Sequence, residues 1–371
     1  MKLSQDSLTN KELWEAANFA LPQYDIKLIE KNTKESPVWI HFGAGNIFRA
    51  FTANAQQKLL NAGKSNTGII VAEGFDYEIV EKMYRPKDNL SVLVTLKANG
   101  TIEKTVVGSI TESLIVNPEE NSDWNRLTEI FSASSLQMAS FTITEKGYNL
   151  YNANGSFFPN VSEDFKNGPG APVSYIGKLA ALVYTRFKAG KLPLALVSMD
   201  NCSHNGTKLH NAVAAYAENW AKNGLVEKDF VDYIENPAFI TFPWSMIDKI
   251  TPRPDDSIKE MLKQDGFEDT EAIITSKNTY IAAFVNAEEP EYLVIEDAFP
   301  NGRPNLDEAG IIFSDKETVD KVEKMKVCTC LNPLHTALAV YGCLLDYTLI
   351  ADEMKDAELK KLVEVIQKAF L

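Results

Sequence analysis

Residues 38–48 read VWIHFGAGNIF, and the fold class follows from this stretch. Its apolar start, 38–42, predicts a buried strand. The glycines that follow, Gly43 and Gly45, predict a tight turn after that strand. From 47 to 60, apolar residues recur at helical spacing without glycine or proline, which predicts a helix directly after the turn.

A second apolar run, 68–72, ends at Glu73 and completes a strand, a helix and a strand in succession. A unit of this length normally forms two parallel strands joined by a right-handed crossover. Two further apolar runs, 138–144 and 193–199, predict more buried strands. The sequence therefore predicts an open parallel sheet of the α/β class, in which ligands bind beyond the carboxyl ends of the strands.

Other patterns predict what surrounds this sheet. Residues 91–107 hold two alternating runs around an Ala-Asn-Gly turn, which indicates an antiparallel hairpin. From about Glu317 the composition becomes charged and helical in period, and the last helical stretch, 357–371, has no obvious packing partner. We expect a Rossmann-like nucleotide-binding domain with an antiparallel insertion over 1–316, followed by the start of an all-helical domain over 317–371.

The charge balance limits the possible partners. Of the 371 residues, 37 are Lys or Arg and 51 are Asp or Glu, so the formal net charge is −14. Such an acidic chain is a poor match for nucleic acid or for an anionic membrane surface. The start of the chain lacks a cationic leader, and no window of about 18 consecutive apolar residues is present. With four cysteines and no disulfide framework, we expect a cytoplasmic protein that is a monomer or a small homo-oligomer.

The glycine turn is the first candidate binding site. A tight turn before a helix N-terminus lets a diphosphate approach unpaired backbone N–H groups and the positive end of the helix dipole. Phe48 occupies the position of the third glycine in the usual GxGxxG pattern, and Arg49 is either a phosphate partner or a solvated arginine. The candidate cofactor-binding residues of this segment are Gly43, Gly45, Asn46, Ile47, Phe48 and Arg49.

A carboxylate at the end of the second strand of such a unit can accept the ribose hydroxyls of a dinucleotide. Glu73 holds that position, and Asp76 is the competing candidate. Because a carboxylate repels a 2′-phosphate, either residue favours NAD over NADP.

Two polar clusters follow predicted strands, at the edge where a ligand is expected. The first contains Thr144, Glu145 and Lys146, and the second contains Asp200, Asn201 and His204. Asn and Asp are also common turn residues, so ordinary loop chemistry explains the second cluster about equally well.

A third cluster lies near the C-terminus. Asn332 and His335 are three residues apart, on one face of a helix that begins at Asn332, and Lys326 precedes them. A lysine amine that is neutral near pH 7 can act as a general base. The neighbouring Cys328-x-Cys330 invites a zinc interpretation, but its spacing matches no usual zinc motif, so we expect buried thiols and no metal.

Six segments in order resemble the mannitol dehydrogenase family, the zinc-independent long-chain polyol dehydrogenases that include mannitol 2-dehydrogenase, fructuronate reductase and tagaturonate reductase. They cover nearly the whole chain, and six ordered matches are more specific than any single motif. The segments are HFGAGNIFRAF (41–51), TITEKGY (142–148), LVSMDNCSHNG (196–206), FPWSMIDKITPRP (242–254), YLVIEDAFPNGRP (292–304) and KMKVCTCLNPLHTALAVYG (324–342).

The resemblance implies NAD as cofactor, hydride transfer and no metal. It implies Lys326 as the acid–base group, Asn201 and Asn332 as partners of the reacting oxygen, and His335 as a ligand of a neighbouring substrate hydroxyl. Thr144 and Glu145 are then expected near the cofactor. The remaining candidates, near the substrate, are Lys146, Asp200, His204, Lys249 and Arg253.

The chain departs from the family pattern in two ways. In the family the lysine lies five residues before the asparagine, whereas here position 327 is valine and Lys326 lies six before Asn332. A local bulge would restore the geometry. The family also continues with a helical domain of well over a hundred residues, so we expect this chain to be truncated relative to it, with a pocket that lacks part of one wall.

The substrate class depends on whether the site holds a cation, because a sugar acid carries a carboxylate and a hexitol does not. Lys146, Lys249 and Arg253 are the candidates, and Lys146 is the first of them. We therefore expect a fructuronate/mannonate enzyme, with mannitol/fructose as the alternative. A chain that binds NAD without turnover, and a sugar-binding module without a nucleotide, are alternatives of other classes.

Overall fold

The computed structural model describes residues 1–370. The chain divides into two compact units, Met1–Phe313 and Ser314–Leu371. The strands are β1 Phe19–Ala20, β2 Trp39–Phe42, β3 Ile69–Glu73, β4 Ser91–Leu96, β5 Ile102–Val107, β6 Ile110–Ile115, β7 Met138–Phe141, β8 Leu194–Ser198, β9 Ile240–Thr241, β10 Ser245–Lys249, β11 Ile273–Ile274, β12 Tyr280–Ile281, β13 Phe284–Glu288, β14 Glu291–Glu296 and β15 Ile312–Ser314.

Helices connect and cover these strands. The α-helices are α1 Lys11–Ala16, α2 Ile26–Glu35, α3 Ala53–Asn61, α4 Asn121–Ser132, α5 Thr144–Gly147, α6 Pro159–Asn167, α7 Tyr175–Lys188, α8 Asn205–Lys222, α9 Asp229–Glu235, α10 Asp256–Gln264, α11 Lys316–Lys324, α12 Asn332–Leu344, α13 Ile350–Glu353 and α14 Ala357–Phe370. Short 3₁₀ segments are Ser7–Thr9, Arg85–Lys87 and Leu306–Ala309, and π-helical segments are Phe48–Thr52, Val80–Tyr84 and Met325–Cys330.

The predicted parallel sheet is present. Six strands pair in the order β6-β3-β2-β7-β8-β9, and every neighbouring pair is parallel. Successive residues of β3 point to opposite faces, so that Ile69 and Val71 join one apolar cluster and Ile70 and Ala72 join the other. Both faces are therefore buried, which explains why its strands read as continuous apolar runs.

The predicted hairpin forms a second sheet. β4 and β5 pair antiparallel as predicted. Two strands that the sequence analysis did not predict extend this pair, since β13 runs parallel to β4 and β1 runs parallel to β5. The second sheet contributes Val92, Val106 and Val285 to the same apolar cluster as one face of the parallel sheet.

The second unit is helical, as expected. The prediction that the last helix has no packing partner is wrong, because Leu359 and Val363 of α14 are buried with Leu338 of α12. Position 371 lies outside the described residues.

One helical stretch of the described chain, Lys316–Leu344, is long and apolar enough to cross a membrane by length and composition. Its window has a mean hydropathy of 1.3 and is 11% buried. A single helix of this kind is weak support for membrane insertion, since core helices of soluble proteins can have the same length and composition.

Candidate active site

The turn after β2 requires glycine at one position and leaves the other open. Gly43 has a φ of +108°, and a Cβ atom placed there would lie 2.2 Å from the carbonyl oxygen of Thr142. Its N–H donates to the carbonyl of Ala72 at 2.9 Å, which fixes the turn against β3. At Gly45, a Cβ atom would meet no protein atom within 4 Å. The backbone at Gly45 is therefore an open surface at the carboxyl edge of the sheet.

The Glu73 carboxylate stabilises this turn by hydrogen bonds to backbone N–H groups. Its carboxylate accepts hydrogen bonds from the N–H groups of Ala44 at 2.9 Å, Phe75 at 2.8 Å and Asp76 at 3.1 Å. The side chain is buried, and burial raises its pKa against the lowering effect of these three bonds. Both oxygens thus already have backbone partners, and the contact of Glu73 with a ribose stays a prediction.

Asp76, the competing carboxylate, is bonded differently. Its Oδ2 accepts from the hydroxyl of Thr275 at 2.6 Å. Its Oδ1 is buried and has no hydrogen-bond partner within residues 1–370. Of the two acids at this strand end, Asp76 therefore has the oxygen that lacks a hydrogen-bond partner in the described residues.

Arg49 is buried and links distant parts of the first unit by hydrogen bonds. Its guanidinium donates to the carbonyl of Ala282 at 2.6 Å, to Ser91 at 3.2 Å and to the side chain of Asn46 at 2.7 Å. At 1% exposure it is not the solvated arginine considered above, and that alternative is wrong. The residue ties Asn46, next to the open backbone, to the second sheet, while its role toward phosphate stays a prediction.

A histidine that the sequence analysis did not single out lies beneath the turn. His41 is fully buried on β2, its Nδ1 is 2.7 Å from the hydroxyl of Ser140 and its Nε2 is 2.8 Å from that of Thr142. Its ring stacks on Phe48, with ring centroids 4.4 Å apart, so the Phe48 side chain is part of the core. Burial lowers the pKa of His41 to about 3, and the ring is neutral at pH 7.

This buried histidine predicts acid sensitivity. The pKa of His41 is 6.5 in the unfolded chain and about 3 in the folded chain. Between pH 6.5 and pH 3 the imidazole is therefore protonated in the unfolded chain and neutral in the folded chain. The free energy of unfolding should therefore fall as the pH drops from 6.5 toward 3, by on the order of 4 kcal/mol from this group. Urea unfolding of the wild type and of His41→Asn at several pH values measures this fall in the free energy of unfolding. The stability difference between the two should shrink on acidification, and a constant difference would contradict the assignment.

Asp200 clamps the ends of two neighbouring strands together. Its carboxylate, two residues after β8, accepts from the N–H groups of Ile143 at 2.9 Å and Thr144 at 2.8 Å, and from the hydroxyl of Tyr148. Burial raises its pKa, while these bonds oppose the shift. Thr144 has a φ of +65°, a rare conformation for a β-branched residue. The clamp holds this strained residue at the ligand edge, and contact between Asp200 and a substrate stays a prediction.

The loop after β8 also depends on Asn205, a further member of the second polar cluster. This buried residue donates to the carbonyls of Ser198 at 3.2 Å and Asp200 at 3.0 Å, and accepts from the N–H of Ser245 at 3.1 Å. Asn201 and His204 are exposed on the same loop, and the His204 ring stacks on Trp244 with centroids 4.3 Å apart. Asn201 is thus exposed on a loop whose backbone is held in place by the hydrogen bonds of Asn205.

The first polar cluster lies on an exposed short helix. Thr144, Glu145 and Lys146 are exposed, and Glu145 forms an ion pair with Lys208 of α8. A cleft of about 550 Å³ lies beside them. Its lining includes Glu145, Lys146, Tyr148, Asn149, Tyr151 and Lys208. Lys146 is therefore the predicted cation that borders an open cleft.

The other two candidate cations are placed differently. Lys249 lies on β10 with a side chain 2% exposed, paired with Glu291 at 2.8 Å and donating to the carbonyl of Glu288 at 2.6 Å. Arg253 is exposed and its guanidinium lies 5.1 Å from the centroid of the Tyr280 ring. The structure therefore makes Lys249 an internal ion pair rather than a cation facing an open cleft.

In the second unit, Lys326 is buried in the π-helix Met325–Cys330. The N–H of Leu331 donates to the carbonyl of Lys326 at 3.1 Å, five residues back, which is the bond of a π-turn. A π-turn takes up one more residue than an α-turn, so the local bulge expected from the six-residue spacing is present. Asn332 and His335 follow, exposed on the first turn of α12.

The thiols near Lys326 are not buried as expected. Cys328 is exposed and Cys330 is half-buried, so the prediction that both pack as apolar groups is wrong. In the described part of the chain, no three His, Cys, Asp or Glu side chains come together as a group able to hold a metal ion.

Comparisons with known proteins agree on one family. Residues 38–308 match the family model described as the mannitol dehydrogenase Rossmann domain. The D-mannonate oxidoreductase of Thermotoga maritima is 55% identical over 366 residues, 98% of this chain and 67% of that protein. The mannitol 2-dehydrogenase of Cereibacter sphaeroides is 29% identical over 89% of this chain and 62% of that protein. The chain thus spans about two thirds of the length of these curated relatives.

Solved structures show the same likeness. A Pseudomonas fluorescens mannitol 2-dehydrogenase in ternary complex with NAD and D-mannitol has a TM-score of 0.73 and 25% identity, and the match covers 100% of this chain and 74% of that one. A D-sorbitol dehydrogenase in substrate-free form has a TM-score of 0.76 and 28% identity over 94% of this chain and 66% of that one.

Proposed function

Because the chain belongs to the mannitol dehydrogenase family, we propose that it is an NAD-dependent oxidoreductase that interconverts a fructuronate-type keto sugar acid and its mannonate-type reduced form. The observation that carries this proposal is the 55% identity to a D-mannonate oxidoreductase over 98% of the chain. A cytoplasmic location and a monomeric or small homo-oligomeric state belong to the same proposal.

The residues at the carboxyl edge of the parallel sheet fit a dinucleotide. The open backbone at Gly45 admits a diphosphate, and a helical stretch begins directly after it, at Asn46. The unpaired N–H groups of a helix start are suited to bind an anion there. We assign the contact with a ribose hydroxyl to Asp76, whose buried Oδ1 has no hydrogen-bond partner within residues 1–370. Two acids, Glu73 and Asp76, at this strand end oppose a 2′-phosphate, so NAD is preferred over NADP.

The chemistry that bound NADH supplies is a hydride to the carbonyl carbon of the substrate. Lys326 in its protonated form gives a proton to the oxygen of that carbonyl as the alcohol forms, and takes it back in the reverse direction. Asn201 and Asn332 donate hydrogen bonds to the same oxygen and stabilise its developing negative charge. His335 binds a neighbouring hydroxyl of the sugar acid.

Turnover with three ketoses tests the proposal. The absorbance of NADH is followed with the 371-residue chain and D-fructuronate, D-tagaturonate or D-fructose. We expect the highest kcat/KM with D-fructuronate. Preference for D-fructose would make the chain a mannitol 2-dehydrogenase, and NADH binding without oxidation on any of the three would make it a nucleotide-binding chain without turnover. Sugar binding without NADH binding would overturn the nucleotide site itself.

Lys146 provides a finer prediction about the substrate. Its ammonium group borders the open cleft, so it is the proposed partner of the substrate carboxylate. Replacing Lys146 by alanine should raise the KM for D-fructuronate about tenfold or more and change that for D-fructose less than twofold, because a lost hydrogen bond to a charged group costs about 1.5–3 kcal/mol. The matched control is Lys166→Ala, an exposed lysine on α6. Equal effects of Lys146→Ala on the KM of both substrates would show that Lys146 does not bind the substrate carboxylate.

A further inference from the structure

Tyr175, the first residue of α7, has a buried hydroxyl with no protein partner. The oxygen is inaccessible to solvent and forms no hydrogen bond within residues 1–370. Other tyrosine hydroxyls of this unit are bonded, for example Tyr84 to the carbonyl of Ala44 at 2.9 Å and Tyr148 to Ser198 at 2.8 Å. A buried polar group without a partner costs folding free energy, so an unpaired hydroxyl in a well-bonded domain needs an explanation.

The position of the ring indicates what the hydroxyl faces. A Cβ atom placed on Gly74 would lie 2.5 Å from the Tyr175 ring, so the ring packs directly on the backbone just after β3. The charges of Glu73, beside the glycine turn, and of Asp200, after β8, both raise the pKa of Tyr175, after burial as the larger cause. The ring therefore lies against the backbone that follows β3, at the carboxyl edge of the parallel sheet. The raised pKa keeps the hydroxyl protonated, as a hydrogen-bond donor.

We propose that Tyr175 is a further cofactor-binding residue, whose hydroxyl donates a hydrogen bond to an oxygen of the ribose–diphosphate backbone of the bound dinucleotide. The inference rests on the proposed function, because it takes the dinucleotide to lie along this edge of the sheet. A dinucleotide backbone is rich in hydrogen-bond acceptors, whereas the neighbouring carboxylates of Glu73 and Asp200 already have donors of their own. Because the oxygen has almost no accessible surface in the free protein, the contact requires the Tyr175 side chain to turn toward the dinucleotide when it binds.

Tyr175→Phe separates this role from a structural one. Removing a hydroxyl that has no partner should leave the Tm of the free protein unchanged or raise it. The same change should raise the Kd for NADH about tenfold, reduce the NADH-induced rise in Tm, and raise the KM for NADH with little change in kcat. The matched control is Tyr184→Phe on the same helix, whose hydroxyl donates to Glu227 at 2.7 Å. It should lower the Tm slightly and leave the Kd for NADH unchanged.

Two outcomes would overturn the inference. A Kd for NADH within twofold of wild type in Tyr175→Phe would show that the hydroxyl does not contact the dinucleotide. A fall in the Tm of the free protein would show that the hydroxyl has a partner in the protein or a trapped water. Failure of the wild-type chain to bind NADH would instead refute the proposed function.

Discussion

Replacement of Gly43 by alanine is expected to abolish measurable NADH binding and to lower the free energy of unfolding by roughly 3 kcal/mol or more. At a φ of +108° any side chain is strained, and the new Cβ would lie 2.2 Å from the carbonyl oxygen of Thr142. Because that oxygen belongs to the backbone at the end of β7, the turn itself must move. NADH titration and urea unfolding of the purified variant measure the two effects.

Gly63 supplies the matched control. It also has a positive φ, +65°, but a Cβ atom there would meet nothing within 4 Å. Gly63→Ala should therefore cost only the strain of a left-handed backbone, about 1 kcal/mol, and leave the Kd for NADH unchanged. If Gly43→Ala bound NADH like this control, the turn after β2 would not be the nucleotide site.

The second large effect is expected at Lys326. Replacing it by methionine keeps most of the apolar stem and removes the group that gives and takes the proton. Turnover of D-fructuronate should fall about 10²–10⁴-fold, while the Kd for NADH stays within twofold of wild type. Initial rates at saturating substrate, together with NADH titration, separate the two.

Lys324→Met is the comparison for this experiment, since Lys324 is exposed and pairs with Asp320 one turn away. It should retain full turnover. Equal losses in both variants would indicate a structural effect on the helix, and full activity of Lys326→Met would assign the proton transfer to another group.

Local patterns predicted the elements to which we assign the proposed nucleotide site. The strand before Gly43, the turn, and the polar loops after β7 and β8 are encoded in neighbouring residues, and a strand buried on both faces reads directly as an apolar run. The six-residue spacing from Lys326 to Asn332 likewise anticipated an irregular turn, which the π-helix supplies.

What could not be predicted depends on contacts between distant residues. Arg49 donates a hydrogen bond to the carbonyl of Ala282, 233 positions along the chain. Because the local sequence does not show this contact, it indicated only phosphate or solvent as the partner of Arg49. Strand β13 likewise pairs with β4 from a distant part of the chain, so no local pattern indicated the second sheet. Tyr175 carried no signal at all, because its interest lies in a hydroxyl that the fold leaves unpaired.

The affinity of Gly45→Ala for NADH shows whether the turn between β2 and the following helix holds the diphosphate of NAD. In the free protein the added methyl group meets no atom within 4 Å, so the Tm should equal that of wild type. If a diphosphate lies on this backbone, the methyl group takes its space, and the Kd for NADH should rise at least tenfold, which corresponds to about 1.4 kcal/mol. A variant with unchanged Tm that binds NADH as tightly as wild type would show that the diphosphate does not lie on this turn.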